Sequence, residues 1–205
     1  MKATKWLLAA TIGLVGASIP TLAHAASSTD AVVNYTDGGI SFNPEGEINN
    51  QIPPNLDFGT MAIQTTQQEN LIAQTDEANT TGAVSISDNR ATAQGWTVKV
   101  NQLTQFANAS GAELASAALS IETGEITNNL GNELTSENKE NQTHTLMVGQ
   151  DAVVLEAKVN EGLGETSLPL TKFELEIPAN TAKTAQQYNT TLNWVMSDAP
   201  SETTE

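Results

Sequence analysis

The residues that could carry out acid–base or metal chemistry are few, and their neighbours do not support such a role. Of two histidines, His24 lies in a leader-like stretch, which leaves His144 between Thr143 and Thr145. A Ser-His-Asp hydrolase needs a nucleophile held against that histidine, and no Gly-x-Ser-x-Gly turn is present. His144 reads instead as an exposed strand-edge residue. Glu174 and Glu176 share one strand face, and paired carboxylates cleave glycosidic bonds when one of them is kept protonated. Neither sits in an apolar setting that would hold a proton there, since Phe173, Leu175 and Ile177 take the opposite face, so the pair reads as a solvated sheet face. Asp88-Asn89-Arg90 offers oxygens to calcium but lacks the spacing of an EF-hand loop. There is no cysteine, which removes thiol catalysis, cysteine-ligated zinc and disulfides. The sequence therefore predicts no catalytic residue, no metal ligand set and no cofactor, and hence a protein that is not an enzyme.

The tryptophans carry more information. In a strand, residues i and i+2 share a face. Trp96 and Val98 therefore point together, and so do Leu192, Trp194 and Met196. One reading makes both tryptophans core anchors, since a large aromatic dominates the core of a small domain. The other makes them a platform on which sugar rings stack, with the indole N–H as a polar handle. The sequence leaves both open. Asp198-Ala199-Pro200 reads as a strand-ending turn, with Pro200 preventing extension.

The elements that hold these residues show alternating polarity. Trp96–Val100 sets Trp96, Val98 and Val100 against Thr97 and Lys99. Ala152–Val159 sets Val153, Leu155, Ala157 and Val159 on one face. Lys172–Pro178 turns Phe173, Leu175 and Ile177 inward and the two glutamates outward. Tyr188–Ser197 aligns Tyr188, Thr190, Leu192, Trp194 and Met196. Weaker strands are expected at Ile52–Phe58, Val84–Asp88, Leu119–Ile121 and Leu146–Gly149, while Ser110–Ala118 is left between a helical turn and a loop. Short alternating strands separated by Gly, Asn and Asp predict an all-β domain, an antiparallel sandwich or barrel.

Residues 1–25 read as a secretory signal. Lys2 and Lys5 precede the apolar run Trp6–Val15, which is shorter than the about 20 residues a membrane span requires. Ala23-His24-Ala25 supplies the small-x-small pattern, placing cleavage between Ala25 and Ala26. Residues 26–54 are expected to form an extended lead-in, 55–200 the folded domain, and 201–205 a frayed end. The formal charge is −16. Without the two leader lysines, six basic residues face 24 acidic ones, giving −18. Such a chain does not bind nucleic acid, which requires a basic footprint. No sortase-type site and no lipid-bearing cysteine is present, so the exported chain is expected to be either released or held at the surface by adhesion.

Several segments together resemble a known family. They are Leu56-Asp57-Phe58-Gly59-Thr60, then Val84 to Arg90, Gly95 to Val100, Lys172 to Ala179, and Tyr188 to Pro200. In order and spacing they resemble the WxL domain of Gram-positive surface proteins, over roughly Asn55 to Pro200. The last segment is the most specific. The family's Trp-x-Leu here reads Trp96-Thr97-Val98 and Trp194-Val195-Met196, so an apolar residue replaces leucine both times. The resemblance implies an extracellular, wall-associated protein that attaches noncovalently to peptidoglycan. It also implies association with other WxL-type and membrane-anchored surface proteins. Trp96, Val98, Leu192, Trp194, Met196 and Asp198 are the candidate wall-binding or motif residues.

Overall fold

A computed structural model of the chain describes residues 33, 35–42, 51–131, 134 and 140–200. The signal segment, its Ala25–Ala26 junction, most of the 26–54 lead-in and residues 201–205 lie outside the described residues. All the strands described lie within Thr36–Glu205.

The fold is all-β and every strand pair is antiparallel. There is no helix among the described residues. In chain order the strands are β1 (Ile40–Phe42), β2 (Glu69–Ile72), β3 (Gln74–Thr75), β4 (Ala78–Asn79), β5 (Gly82–Asp88), β6 (Trp96–Gln102) and β7 (Ala107–Asn108). They continue with β8 (Ala118–Thr123), β9 (Thr127–Asn128), β10 (Thr143–Thr145), β11 (Asp151–Ala157), β12 (Gly164–Ile177), β13 (Tyr188–Asn189) and β14 (Leu192–Ser197). The larger sheet runs β1-β5-β12-β8-β10, with β2 and β9 also paired to β12. The smaller sheet runs β11-β6-β14. Both supply one apolar core, in which Val84, Ile86, Leu119, Ile121 and Leu168 meet Trp96, Val98, Val100 and Leu155. Neither sheet closes on itself among the described residues, so this is not a closed barrel.

Two bulges account for most differences from the sequence expectation, because one extra residue reverses which parity faces the core. In β11, Val153 opposes Lys99 while Leu155 opposes Val98. Val154 is the extra residue and is buried beside Leu155. The expected uniform 153-155-157-159 face therefore breaks; Val153 is only half-buried, and Val159 lies beyond the strand and is exposed. In β12, the register shifts between Leu170 and Lys172. Thr166, Leu168 and Leu170 are buried before the shift, and Phe173, Leu175 and Ile177 after it. The predicted Lys172–Pro178 strand is thus the second half of a 14-residue element.

The other expectations divide. Strands were expected at Val84–Asp88 and Leu119–Ile121, and β5 and β8 occupy those places. Ile52–Phe58 and Leu146–Gly149 are not strands; the local strand β10 ends at Thr145. Ser110–Ala118 forms turns rather than a helix, with Ser116 at φ 61°. Tyr188–Ser197 is two strands, because β13 pairs with β7 and β14 with β6. Ile40–Phe42, in the expected lead-in, pairs with β5.

Candidate functional site

The two Trp-x-apolar strands lie side by side. β14 pairs with β6 so that Trp194 opposes Val100 and Met196 opposes Val98. β6 is the central strand of its sheet and β14 an edge strand. That difference sets the fate of each indole. Trp96 is fully buried, and its indole Nε1–H donates to the Gly162 carbonyl at 3.2 Å. Only glycine fits opposite it: Gly162 has φ +76°, and a Cβ there would stand 2.7 Å from Nε1. Val98 is likewise fully buried. Neither side chain presents surface to a ligand.

Trp194, Leu192 and Met196 are only half-buried and pack against the margin of the core. Beside β14 lies an open groove of about 1430 Å³. Leu192 and Trp194 form part of one wall, and the irregular segment from Ile52 to Ile63 forms the other. The floor is apolar, built from Phe106, Leu119, Phe173, Leu175 and Ile177. Phe58 reaches in from the far wall and meets Phe106 edge-on, with ring centroids 6.1 Å apart. The mouth is polar, with Gln186, Gln187, Asn189, Thr190 and Thr191 along it. Tyr188 is fixed there by Thr184, whose backbone N–H donates to the phenol oxygen at 2.9 Å and whose hydroxyl lies 3.0 Å from it. Those hydrogen bonds, the side-chain one first, lower the Tyr188 pKa from its ordinary value. Lys183 is tied to Glu69 and to the Gln64 carbonyl, bracing the rim. Aromatic faces beside amides and hydroxyls are suited to a flat polar ligand such as a sugar ring.

The Asp198-Ala199-Pro200 end does something different. Arg90 clasps Asp88 through two hydrogen bonds, Nε to Oδ1 at 2.8 Å and Nη2 to Oδ2 at 2.7 Å. The Asp88 side chain is completely inaccessible and that of Arg90 is 9% exposed. Arg90 also donates to the carbonyls of Gly95 at 3.0 Å and Asp198 at 3.2 Å, while the Thr97 hydroxyl donates to the Ala199 carbonyl at 3.0 Å. The hydrogen bonds that Arg90 donates to Asp88 are the main cause that raises the Arg90 pKa, with Asp198 and Asp37 adding smaller attractions. The C-terminal motif is thus bound by its backbone to the start of β6, and the Asp198 side chain remains exposed. Arg90 was not among the sequence candidates. Its signal was faint: a cation two residues after an aspartate at a strand end.

The remaining chemical candidates are accounted for locally. His144 is half-buried rather than exposed. It does sit on an edge strand, but opposite Ile121, whose side faces the core. Glu174 pairs with Lys172 at 2.9 Å, and Lys172 also contacts Glu122 at 2.5 Å. Hydrogen bonds that Lys172 donates to Glu122, and then to Glu174, raise its pKa. The Asp88 carboxylate is already occupied by Arg90. Among the described residues no three His, Asp or Glu side chains gather as a metal site.

A family model described as "WxL domain surface cell wall-binding" matches residues 29–200. No curated protein matches the chain.

Proposed function

We propose that this chain, which belongs to the WxL family of surface cell wall-binding domains, holds to peptidoglycan noncovalently through the groove beside β14 and does so without turnover. Association with the cell wall follows from the family; the groove is the part of the molecule best suited to make the contact. The supporting observation is the half-buried Trp194 on a wall of that groove, with hydroxyl and amide side chains at its mouth. Trp96 and Val98 support it only indirectly, as buried residues of the neighbouring strand β6, and Asp198 through its backbone carbonyl. An extracellular location after cleavage between Ala25 and Ala26 belongs to the same reading.

The charge of −16 sets a condition on the mechanism. Anionic wall polymers repel such a chain at long range, so adhesion rests on short-range stacking and hydrogen bonds, helped by bridging cations. Sedimentation with protein-free wall tests this. The full chain should pellet, more so with added calcium, and Trp194→Phe should pellet less while remaining folded, as urea unfolding checks. A wild-type chain left in the supernatant with and without calcium ends the proposal. A second reading is membership of a surface complex with other WxL-type or membrane-anchored proteins. The open edge of β14 favours it.

A further inference from the structure

The hydrogen-bond register of β14 shows which of its backbone groups are unused. Leu103 N–H donates to the Thr191 carbonyl at 2.9 Å. These two residues lie on the same register as Trp194 opposite Val100. In an antiparallel ladder, directly opposed hydrogen-bonded pairs alternate with non-bonded ones. Asn193, Val195 and Ser197 therefore point their N–H and C=O groups at β6. Leu192, Trp194 and Met196 point theirs away from it, and among the described residues none of these groups has a backbone partner.

The other strand edges are guarded or short. β1 and β10 have three residues each, and β2 has four, led by Glu69. β11 is bulged at Val154 and carries Asp151 and Glu156. β14 has six residues with no charge, proline or bulge. Folded proteins protect such edges because they template pairing with another chain. The space beside this edge is also open. The groove is lined by β14 and by no residue of β6 or β11, so it lies where the next strand of the smaller sheet would run. Its floor of Leu119, Phe173, Leu175 and Ile177 belongs to the larger sheet. A six-residue strand fills a slab about 4.8 Å wide, about 10 Å deep and about 20 Å long, on the order of 1000 Å³. The groove holds about 1430 Å³, enough for one strand. Its far wall is fixed to the strands beyond by Gln74 N–H to the Asp57 carbonyl at 2.8 Å and Ala83 N–H to the Gln51 carbonyl at 3.2 Å.

We infer that the groove accepts an extended segment of a different polypeptide, which adds antiparallel or parallel to β14 as a fourth strand of the smaller sheet. Its alternate residues are apolar and rest on the Phe173–Leu175 floor. Its outward residues are neutral or basic, because the chain carries −16 and repels acidic partners. A second copy of this chain is disfavoured by that charge. The inference deepens the partner reading and rests on it. A strand seated there covers the groove face of Trp194, so peptide and glycan are alternative occupants.

The test uses the full chain and blocked nine-residue peptides alternating valine with lysine or threonine. Amide exchange at Leu192, Trp194 and Met196 is followed with affinity by calorimetry. Strand addition slows exchange at all three amides by about tenfold or more. N-methylating the peptide amides that face β14 should weaken binding by about tenfold or more. Met196→Pro should do the same, since it removes an outward N–H and leaves the β6 ladder intact. Equal binding by the N-methylated peptides overturns the inference even if Met196→Pro does not fold. So does protection without peptide, which marks the chain's own segment if independent of dilution and a second copy if lost on dilution. A folded surface protein that binds the chain while every peptide fails ends strand addition alone and leaves the partner reading standing. Wall sedimentation without peptide reads the attachment function separately.

Discussion

The strands that carry Trp96 and Trp194 have nearly the same local pattern, lie next to each other in register, and yet belong to different physical regimes. β6 has a neighbour on both sides, so its tryptophan is sealed beneath the sheet and its indole N–H is spent on Gly162. Among the described residues β14 has one neighbour, so the same side-chain face runs out into a groove. A motif read along the chain gives the face a residue points to. Its place across the sheet gives what it meets there.

Truncation should separate the two regions most sharply. Trp96→Ala should cost about 3–5 kcal/mol, the range for a large buried aromatic. Trp194→Ala should cost under about 2 kcal/mol, because the side chain is only half-buried and loses correspondingly less transfer energy. Urea unfolding of both variants gives the comparison directly, and equal costs would mean that edge and centre do not differ. The clamp that joins the two regions should come next. Arg90→Met leaves the inaccessible Asp88 carboxylate without its partner, and should destabilise by about 3 kcal/mol. Asp88→Asn in the same chain should restore part of that loss, because the stranded charge is then gone. No recovery in the double variant would show that the backbone contacts to Gly95 and Asp198, rather than the ion pair, hold the two regions together.

The smallest effect concerns the groove mouth. Tyr188 should ionise below the ordinary tyrosine pKa of about 10, since Thr184 hydrogen-bonds its oxygen. A depressed pKa stabilises the fold above the unfolded value and loses that contribution as pH falls through the folded one. The rim around Tyr188 is thus favoured in alkaline solution and gains nothing from this at neutral pH. Absorbance titration at about 295 nm with Tyr35→Phe as background should show the low value, and Thr184→Val should return it toward the value of about 10.

Much of the architecture was legible in the sequence, for a local reason. Side-chain alternation has a period of two, so the inner faces at Trp96–Val100, Phe173–Ile177 and Leu192–Met196 are written in consecutive residues. The WxL resemblance was legible too, because the terminal Tyr188–Pro200 segment keeps its order and spacing. The bulges at Val154 and Thr171 were not. A bulge is defined by what the partner strand does opposite it, and no local pattern records that. Arg90 was missed for a related reason, since the carbonyls of Gly95 and Asp198 meet it only after β6 and β14 are in place.

The sequence by itself determined an all-β chain, the face each principal strand turns inward, and the family to which it belongs. Tertiary structure alone decided that Trp96 is sealed in the core and Trp194 stands at an open groove. The physical reason is that exposure depends on how many neighbours a strand acquires across the sheet. Those neighbours come from parts of the chain far away in sequence.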